Sequence, residues 1–186
     1  MRIISGIAGG RRLFTPAGDK TRPTSDKIRG SVFNILSARV PGARVLDLFG
    51  GTGALALEAM SRGADSAVIA DLDRQAVDII RRNAGQVLGE NYASRVSVIR
   101  GDFRRVIAGL NGPAFDMVFL DPPYIMTEAY GKSLELLARA DLLAEDAVIV
   151  AEHRHTARVK YAAGFEIFDA RIYGDTAVDM LRRSRE

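Results

Sequence analysis

The chain has 186 residues, 47% of them hydrophobic and 26% charged, with a net charge of +3 and no cysteine. That length suffices for one domain with a sizeable core. The composition excludes disulfides, thiolate metal sites and cysteine nucleophiles, and no apolar run approaches the roughly 18–20 residues of a membrane span.

The first element is basic. Residues 1–40 hold eight Lys/Arg against two acids, a balance of +6, and the remainder holds 18 against 21, a balance of −3. A basic segment of this kind is an electrostatic footprint for a polyanion such as a nucleic acid, and the candidate contacts to it are Arg2, Arg11, Arg12, Arg22, Lys27 and Arg29. A solvated charged face is the plainer alternative. Residues 2–4 and 12–15 are expected to pair around Gly6, Gly9 and Gly10. Ser25 or Thr24 then caps a helix running through Ile28, Val32, Phe33, Ile35 and Leu36. The opening Met1-Arg2-Ile3-Ile4-Ser5-Gly6 lacks the apolar stretch of a secretory signal, and with the missing cysteines this suits a cytoplasmic protein.

From residue 44 onward, apolar strands alternate with helical patterns. Strands are expected at 44–48, 67–70, 96–100, 117–120 and 147–151, and helices at 54–62, 74–88, 103–110 and 128–139. Such alternation predicts an α/β fold, a mostly parallel sheet with helices on both faces. Residues 165–172 and 176–181 are strand-like and separated only by Tyr173-Gly174-Asp175, so they form a hairpin and the last strand enters antiparallel. The whole is read as one domain: a basic appendage, residues 1–40, on a Rossmann-like core, residues 41–186.

The first strand runs into Asp47-Leu48-Phe49-Gly50-Gly51-Thr52-Gly53-Ala54. Glycines at a strand-to-helix turn let a ligand approach the backbone at the carboxyl edge of the sheet. The spacing Gly51-x-Gly53-x-x-Ala56 also satisfies the dinucleotide fingerprint, so a dehydrogenase is a competing reading. Asp71, 20 residues beyond Gly51, follows the second strand, where an acid can hold ribose hydroxyls in either class. Three features favour S-adenosylmethionine. Asp47 would repel a pyrophosphate but suits a cationic methionine end. Asp102 and Phe103, after the third strand, can meet the amino group and the face of adenine. Asp121-Pro122-Pro123-Tyr124, after the fourth strand, has no use at a nicotinamide site.

An exocyclic amine on a nucleobase is a poor nucleophile because its lone pair is delocalised into the ring. An acceptor at Asp121, helped by the Pro122 carbonyl, can hold the amino hydrogens and aim the lone pair at a methyl carbon. The prolines fix the backbone that carries both acceptors, and Tyr124 offers a stacking face for an extruded base. His153 and His155, with no other histidine in the chain, read as surface residues near a substrate groove and not as a metal pair.

The stretches "DLFGGTGALALEAMSRGA", "GDF" and "FLDPPY" resemble the amino-methyltransferases that use S-adenosylmethionine. "RIISGIAGGRRL", "TRPTSDKIRGSVFNIL" and "YGDTAVDMLRR" narrow the resemblance to the bacterial 16S ribosomal RNA (guanine(966)-N(2))-methyltransferase family, over nearly the whole chain. The resemblance implies a Rossmann-like, seven-stranded class I methyltransferase sheet and methylation of a guanine amino group in small-subunit RNA or an assembly intermediate; no metal and a monomer are expected besides. It places Asp47, Phe49, Gly50, Gly51 and Gly53 at the methionine end of the cofactor, Asp71 at the ribose, and Leu72, Asp102 and Phe103 at the adenine. Arg22 and Thr24 would reach the cofactor carboxylate or the target strand, and Asp121 and Tyr124 would handle the guanine. Two positions depart from the family habit: Asp71 stands where Glu is frequent, which shortens its reach, and glycine stands where Ala is common at 50 or 51. Adenine in DNA, a glutamine side chain in a protein, and non-catalytic RNA binding remain alternatives. Against glutamine, the acid here is Asp121 where those enzymes carry Asn, and the appendage is short and basic.

Overall fold

The computed structural model describes residues 1–16 and 25–184, so the expectations for Arg22 and Thr24 lie outside the described residues. Seven strands make one sheet: β1 (Arg44–Asp47), β2 (Ser66–Asp71), β3 (Val96–Arg100), β4 (Phe115–Leu120), β5 (Leu143–Arg154), β6 (Phe165–Tyr173) and β7 (Thr176–Arg183). Their order is β3-β2-β1-β4-β5-β7-β6. β1 to β5 are mutually parallel, and β7 runs antiparallel between β5 and β6, as the expected terminal hairpin requires.

The helices are α1 (Asp26–Ile35), α2 (Ala54–Ser61), α3 (Arg74–Leu88), α4 (Phe103–Gly109) and α5 (Glu128–Arg139). The alternating faces of β4 show how they divide. Met117 and Phe119 join a core with residues of α1, α2 and α3, while Val118 and Leu120 join a second core with residues of α4 and α5. All four side chains are fully buried, as expected for a central parallel strand covered on both faces.

β1 carries the consequence of this order. The chain leaves β1 toward β2 and β3 on one side and returns to β4 and β5 on the other. The carboxyl ends of β1 and β4 therefore border the crevice where the strand order reverses, the usual ligand position in open α/β sheets. The turn at 48–53 leaves β1 there, and Asp121 leaves β4 there.

The appendage is less regular than expected. Residues 2–4 and 12–15 form no ladder, only the single antiparallel bridge Arg2↔Arg12. Helices α2 and α3 hold the segment, and α2 holds its first residues. Glu58, fully buried, accepts from the Ile4 amide at 2.7 Å and the Ser5 amide at 3.1 Å. Ser61 Oγ donates to the Ser5 carbonyl and accepts from the Ala8 amide. Gly6, at φ +83°, lies so close to α2 that a Cβ there would stand 1.9 Å from the Ser61 carbonyl oxygen. Ser25 caps α1 by accepting from the Ile28 amide at 3.2 Å.

Candidate active site

The turn after β1 is built by backbone that only glycine adopts readily. Gly51 and Gly53 sit at φ +56° and +78°. Gly50 donates its amide to the Ala70 carbonyl at 2.8 Å, so close to β2 that a Cβ would fall 2.5 Å from the Ile69 side chain. Gly53 then opens α2 with no side-chain cap. Beside Gly51 the space is open, as a ligand cradle requires.

Carboxylates surround this turn. Asp71 accepts from the Gly51 amide at 2.8 Å through one oxygen and from the Asp73 amide at 2.9 Å through the other. Each oxygen keeps a second lone pair for a hydroxyl donor. Partial burial raises the Asp71 pKa, opposed by those two amides. Asp47 is buried; one oxygen accepts from the Phe49 amide at 3.3 Å, and Oδ2 has no hydrogen-bond partner among the described residues. Burial, with the Asp71 charge adding to it, pushes Asp47 up to about 7. An orphaned buried acceptor is costly, and a cationic ligand would satisfy it.

The strand register gathers two more acids. Asp47 is level with Phe119, so Asp121, two residues on, faces the same side. Leu120 is level with Ala151, which puts Glu152, buried at the end of β5, level with Asp121. Burial first, then the charges of Glu152 and Asp47, hold Asp121 well above the usual carboxylate range. Tyr124 follows, 39% exposed, with the Arg154 guanidinium 4.6 Å from its ring centroid. Pro122 is buried and Pro123 exposed.

The adenine side is only partly as expected. Leu72 is 66% exposed, an apolar side chain available to a flat ligand. Asp102 caps α4 by accepting from the Arg104 amide and pairs with the Arg104 guanidinium at 3.2 Å. Phe103 is a correction: it is buried, with its ring 5.4 Å from that of Phe49, because it opens α4 on the inner face of that helix. The half-buried Phe49 shares that contact.

The basic segment divides too. Arg2, Arg12 and Lys27 are exposed, and Arg2 lies 3.5 Å from Asp26. Arg11 is exposed, but its guanidinium donates to the carbonyls of Gln86 and Val87 at the end of α3. Arg29 corrects the expectation of an RNA contact. It is fully buried, donates to the Arg2 carbonyl, and pairs with Asp26 at 3.0 Å and Glu58 at 3.7 Å. Its place was readable: Ile28, Arg29, Val32 and Phe33 form one buried helical stripe.

His153 is a further correction, buried and not on the surface. β5 extends past its expected end at 151, and Nε2 of His153 meets Asp179 at 3.0 Å while Tyr161 donates to the same carboxylate oxygen at 2.6 Å. Burial lowers its pKa, but the bond and charge of Asp179, with the Arg154 carbonyl and the Glu152 charge, outweigh that and raise it. His155 is exposed. No cluster of three or more His, Asp or Glu side chains suited to a metal occurs among the described residues. Sequence reasoning missed Glu58, although an acid inside the almost wholly buried Ala54–Ser61 helix is itself a signal. It also missed Asn83, whose buried amide binds both Phe14 backbone groups and the Thr52 carbonyl in the glycine turn.

A glycine turn and clustered acids at the switch point of a sheet in this order define the Rossmann-like fold of class I methyltransferases. The chain is similar to the solved structure titled "Putative methyltransferase yhhF from Escherichia coli", with a TM-score of 0.85 and 28% identity over 98% of this chain and 97% of that one. It belongs to the family described as Conserved hypothetical protein 95, which matches residues 1–182. Among relatives, "Putative rRNA methyltransferase YlbH" of Bacillus subtilis (strain 168) is 34% identical over 98% of this chain and 99% of its own length. "Ribosomal RNA small subunit methyltransferase D" of Escherichia coli (strain K12) is 34% identical over 82% of this chain and 74% of its own.

Proposed function

We propose that the protein transfers a methyl group from S-adenosylmethionine to the exocyclic N2 amine of a guanine in 16S ribosomal RNA, free or within a small-subunit assembly intermediate. The carrying observation is the placement of Asp121, Pro122 and Tyr124 at the carboxyl end of β4, beside the glycine turn that leaves β1. The names of the relatives support ribosomal RNA as the substrate class.

The residues present fit the cofactor. Asp47 Oδ2 would accept from its cationic methionine end, Asp71 would hold the ribose hydroxyls, and Leu72 and Asp102 would border the adenine. Gly51 leaves the backbone open to it, and Gly50 and Gly53 fix the turn around it by packing against β2 and α3. When bound, S-adenosylmethionine supplies an electrophilic methyl group on a sulfonium.

The remaining work falls to the chain. Asp121 and the Pro122 carbonyl accept the amino hydrogens and so direct the lone pair. A carboxylate held above its ordinary pKa is also a better acceptor for the proton that the methylated amine loses. Tyr124 stacks the extruded base. Arg2, Arg12 and Lys27 meet the RNA backbone, and Arg11 contributes as far as its bond to α3 allows. The appendage, clamped to α2 by Glu58 and Ser61, holds these charges in a fixed relation to the catalytic crevice.

The direct test incubates the purified protein and methyl-labelled cofactor with unmodified 16S RNA and, separately, with unmodified small subunits. Label recovered as N2-methylguanosine after nucleoside digestion is the expected result. Label in another base, or in protein alone, would refute the assignment.

A further inference from the structure

Arg154 has an unusual situation. It ends β5, one residue past His153 and two past Glu152, level with Thr176 of β7. Its backbone is held on several sides: its carbonyl meets His153 Nδ1 at 2.8 Å and accepts from the Ala157 amide at 2.9 Å, and the next residue's amide donates to the Asp175 carbonyl. Its side chain is exposed and makes no ion pair among the described residues, although Asp121 and Glu152 are nearby in the register. The guanidinium instead lies over the Tyr124 ring at 4.6 Å.

That separation leaves no space for a third planar group. A base inserted between the two needs van der Waals contact, about 3.5–4 Å, on each of its faces, and so roughly 7–8 Å between them. A guanine that stacks on this face of Tyr124 must therefore displace the guanidinium. The stack it leaves is weak, because at an exposed site water competes for the cation. The arginine then pivots from an anchored strand end, and the nucleotide that displaces it arrives with backbone phosphates.

We infer that Arg154 is a substrate-contact residue that covers the Tyr124 face before RNA binds and, once guanine takes that face, pairs with a backbone phosphate of the extruded nucleotide. This rests on the stacking role given to Tyr124 above. Exchanging one partner for the other keeps the tyrosine ring covered and makes RNA binding and site opening one event.

The test measures binding of unmodified 16S RNA transcript across a series of KCl concentrations, together with single-turnover methylation. Arg154→Ala and Arg154→Gln should each weaken binding and lower the salt slope by about one, the signature of one lost phosphate contact. Arg154→Lys should retain the slope, since a point charge still meets a phosphate. S-adenosylhomocysteine affinity should be unchanged in all three. Weaker binding with an unaltered slope would make Arg154 a mere brace for Tyr124 and overturn the inference. The two readings separate in Tyr124→Ala. If that variant is impaired while the Arg154 variants keep the wild-type slope, the stacking role stands and the Arg154 role falls. If it methylates normally while the Arg154 slope is lost, the phosphate contact stands and the exchange on the ring falls.

Discussion

The Gly51 amide donates to the Asp71 carboxylate at 2.8 Å, tying the turn after β1 to the end of β2. One acid thus shapes the cradle and, in the proposed complex, grips what lies in it. Asp71→Ala should weaken S-adenosylhomocysteine binding by about 1–3 kcal/mol, the cost of leaving polar groups unpaired. Calorimetry gives the number directly, and wild-type affinity in the variant would take Asp71 out of the site.

Asp47 predicts a pH dependence. Its folded pKa of about 7 lies above the ordinary 3.8, so the folded protein holds a proton there that the unfolded chain has released. The stabilising contribution is full below about pH 4, declines as pH rises toward 7, and is flat beyond. A cationic ligand favours the ionised carboxylate, so cofactor binding near or below pH 7 should release up to one proton. Calorimetry in buffers of different ionisation heats should show that release in the wild type and lose it in Asp47→Asn. An identical proton count in both would assign the release elsewhere.

Glu58 governs the appendage. It is buried with Arg29, accepts two backbone amides from residues 4 and 5, and pairs with Arg62 at 2.7 Å. Removing one partner leaves the other buried with only part of its compensation, Arg29 with Asp26 or Glu58 with Arg62, at a cost of up to about 3–5 kcal/mol. Glu58→Ala should therefore lower the denaturant midpoint sharply and speed proteolysis of residues 1–16. Arg29→Ala should do likewise, although arginine at that position first reads as an RNA contact.

Arg11 and Arg12 are adjacent but differ in what binds them. Arg11 is engaged by α3 carbonyls, whereas Arg12 forms no ion pair among the described residues and is exposed. Arg12→Ala should reduce the salt slope of RNA binding by about one. Arg11→Ala should change the slope less and cost about 0.5–1.5 kcal/mol of stability. Equal slope changes for the two would show that the bond to α3 does not withhold Arg11 from the RNA.

The core and the crevice were legible because their signals are local. Apolar strands, the glycine turn and the acid-proline-proline-tyrosine run each declare themselves within about ten residues, and the strand alternation orders them. The appendage was not, because its fate depends on partners far along the chain. Arg29 meets Glu58 and Asn83 meets Phe14 across long separations, and composition sees only a charge or an amide. Its position after a strand points Phe103 toward the adenine, but it opens a helix whose inner face takes its ring. The apolar run that marks β5 in the sequence stops at 151, which leaves His153 on the surface; three more residues of pairing with β7 bury it against Asp179.

Asp121 supplies the decisive measurement. It follows the last residue of β4 between Asp47 and Glu152, level with the latter, in a position where burial and both neighbours disfavour its charge. A protein gains no stability from such a carboxylate, so its replacement should not unfold the chain; Asp121→Ala should keep its melting temperature or raise it. Cofactor binding should also persist, since Asp47 and Asp71 carry that contact in the proposed complex. Methyl transfer should fall by on the order of 10²-fold or more, as for loss of an oriented group that acts in the transition state. Asp121→Asn keeps an acceptor oxygen but cannot take the proton, and should fall between the two. Single-turnover methylation with cofactor and RNA both saturating separates the chemical step from binding. An Asp121→Ala enzyme within a few-fold of the wild type would mean that the proline-rich stretch is only a turn and that the amine is oriented by other groups.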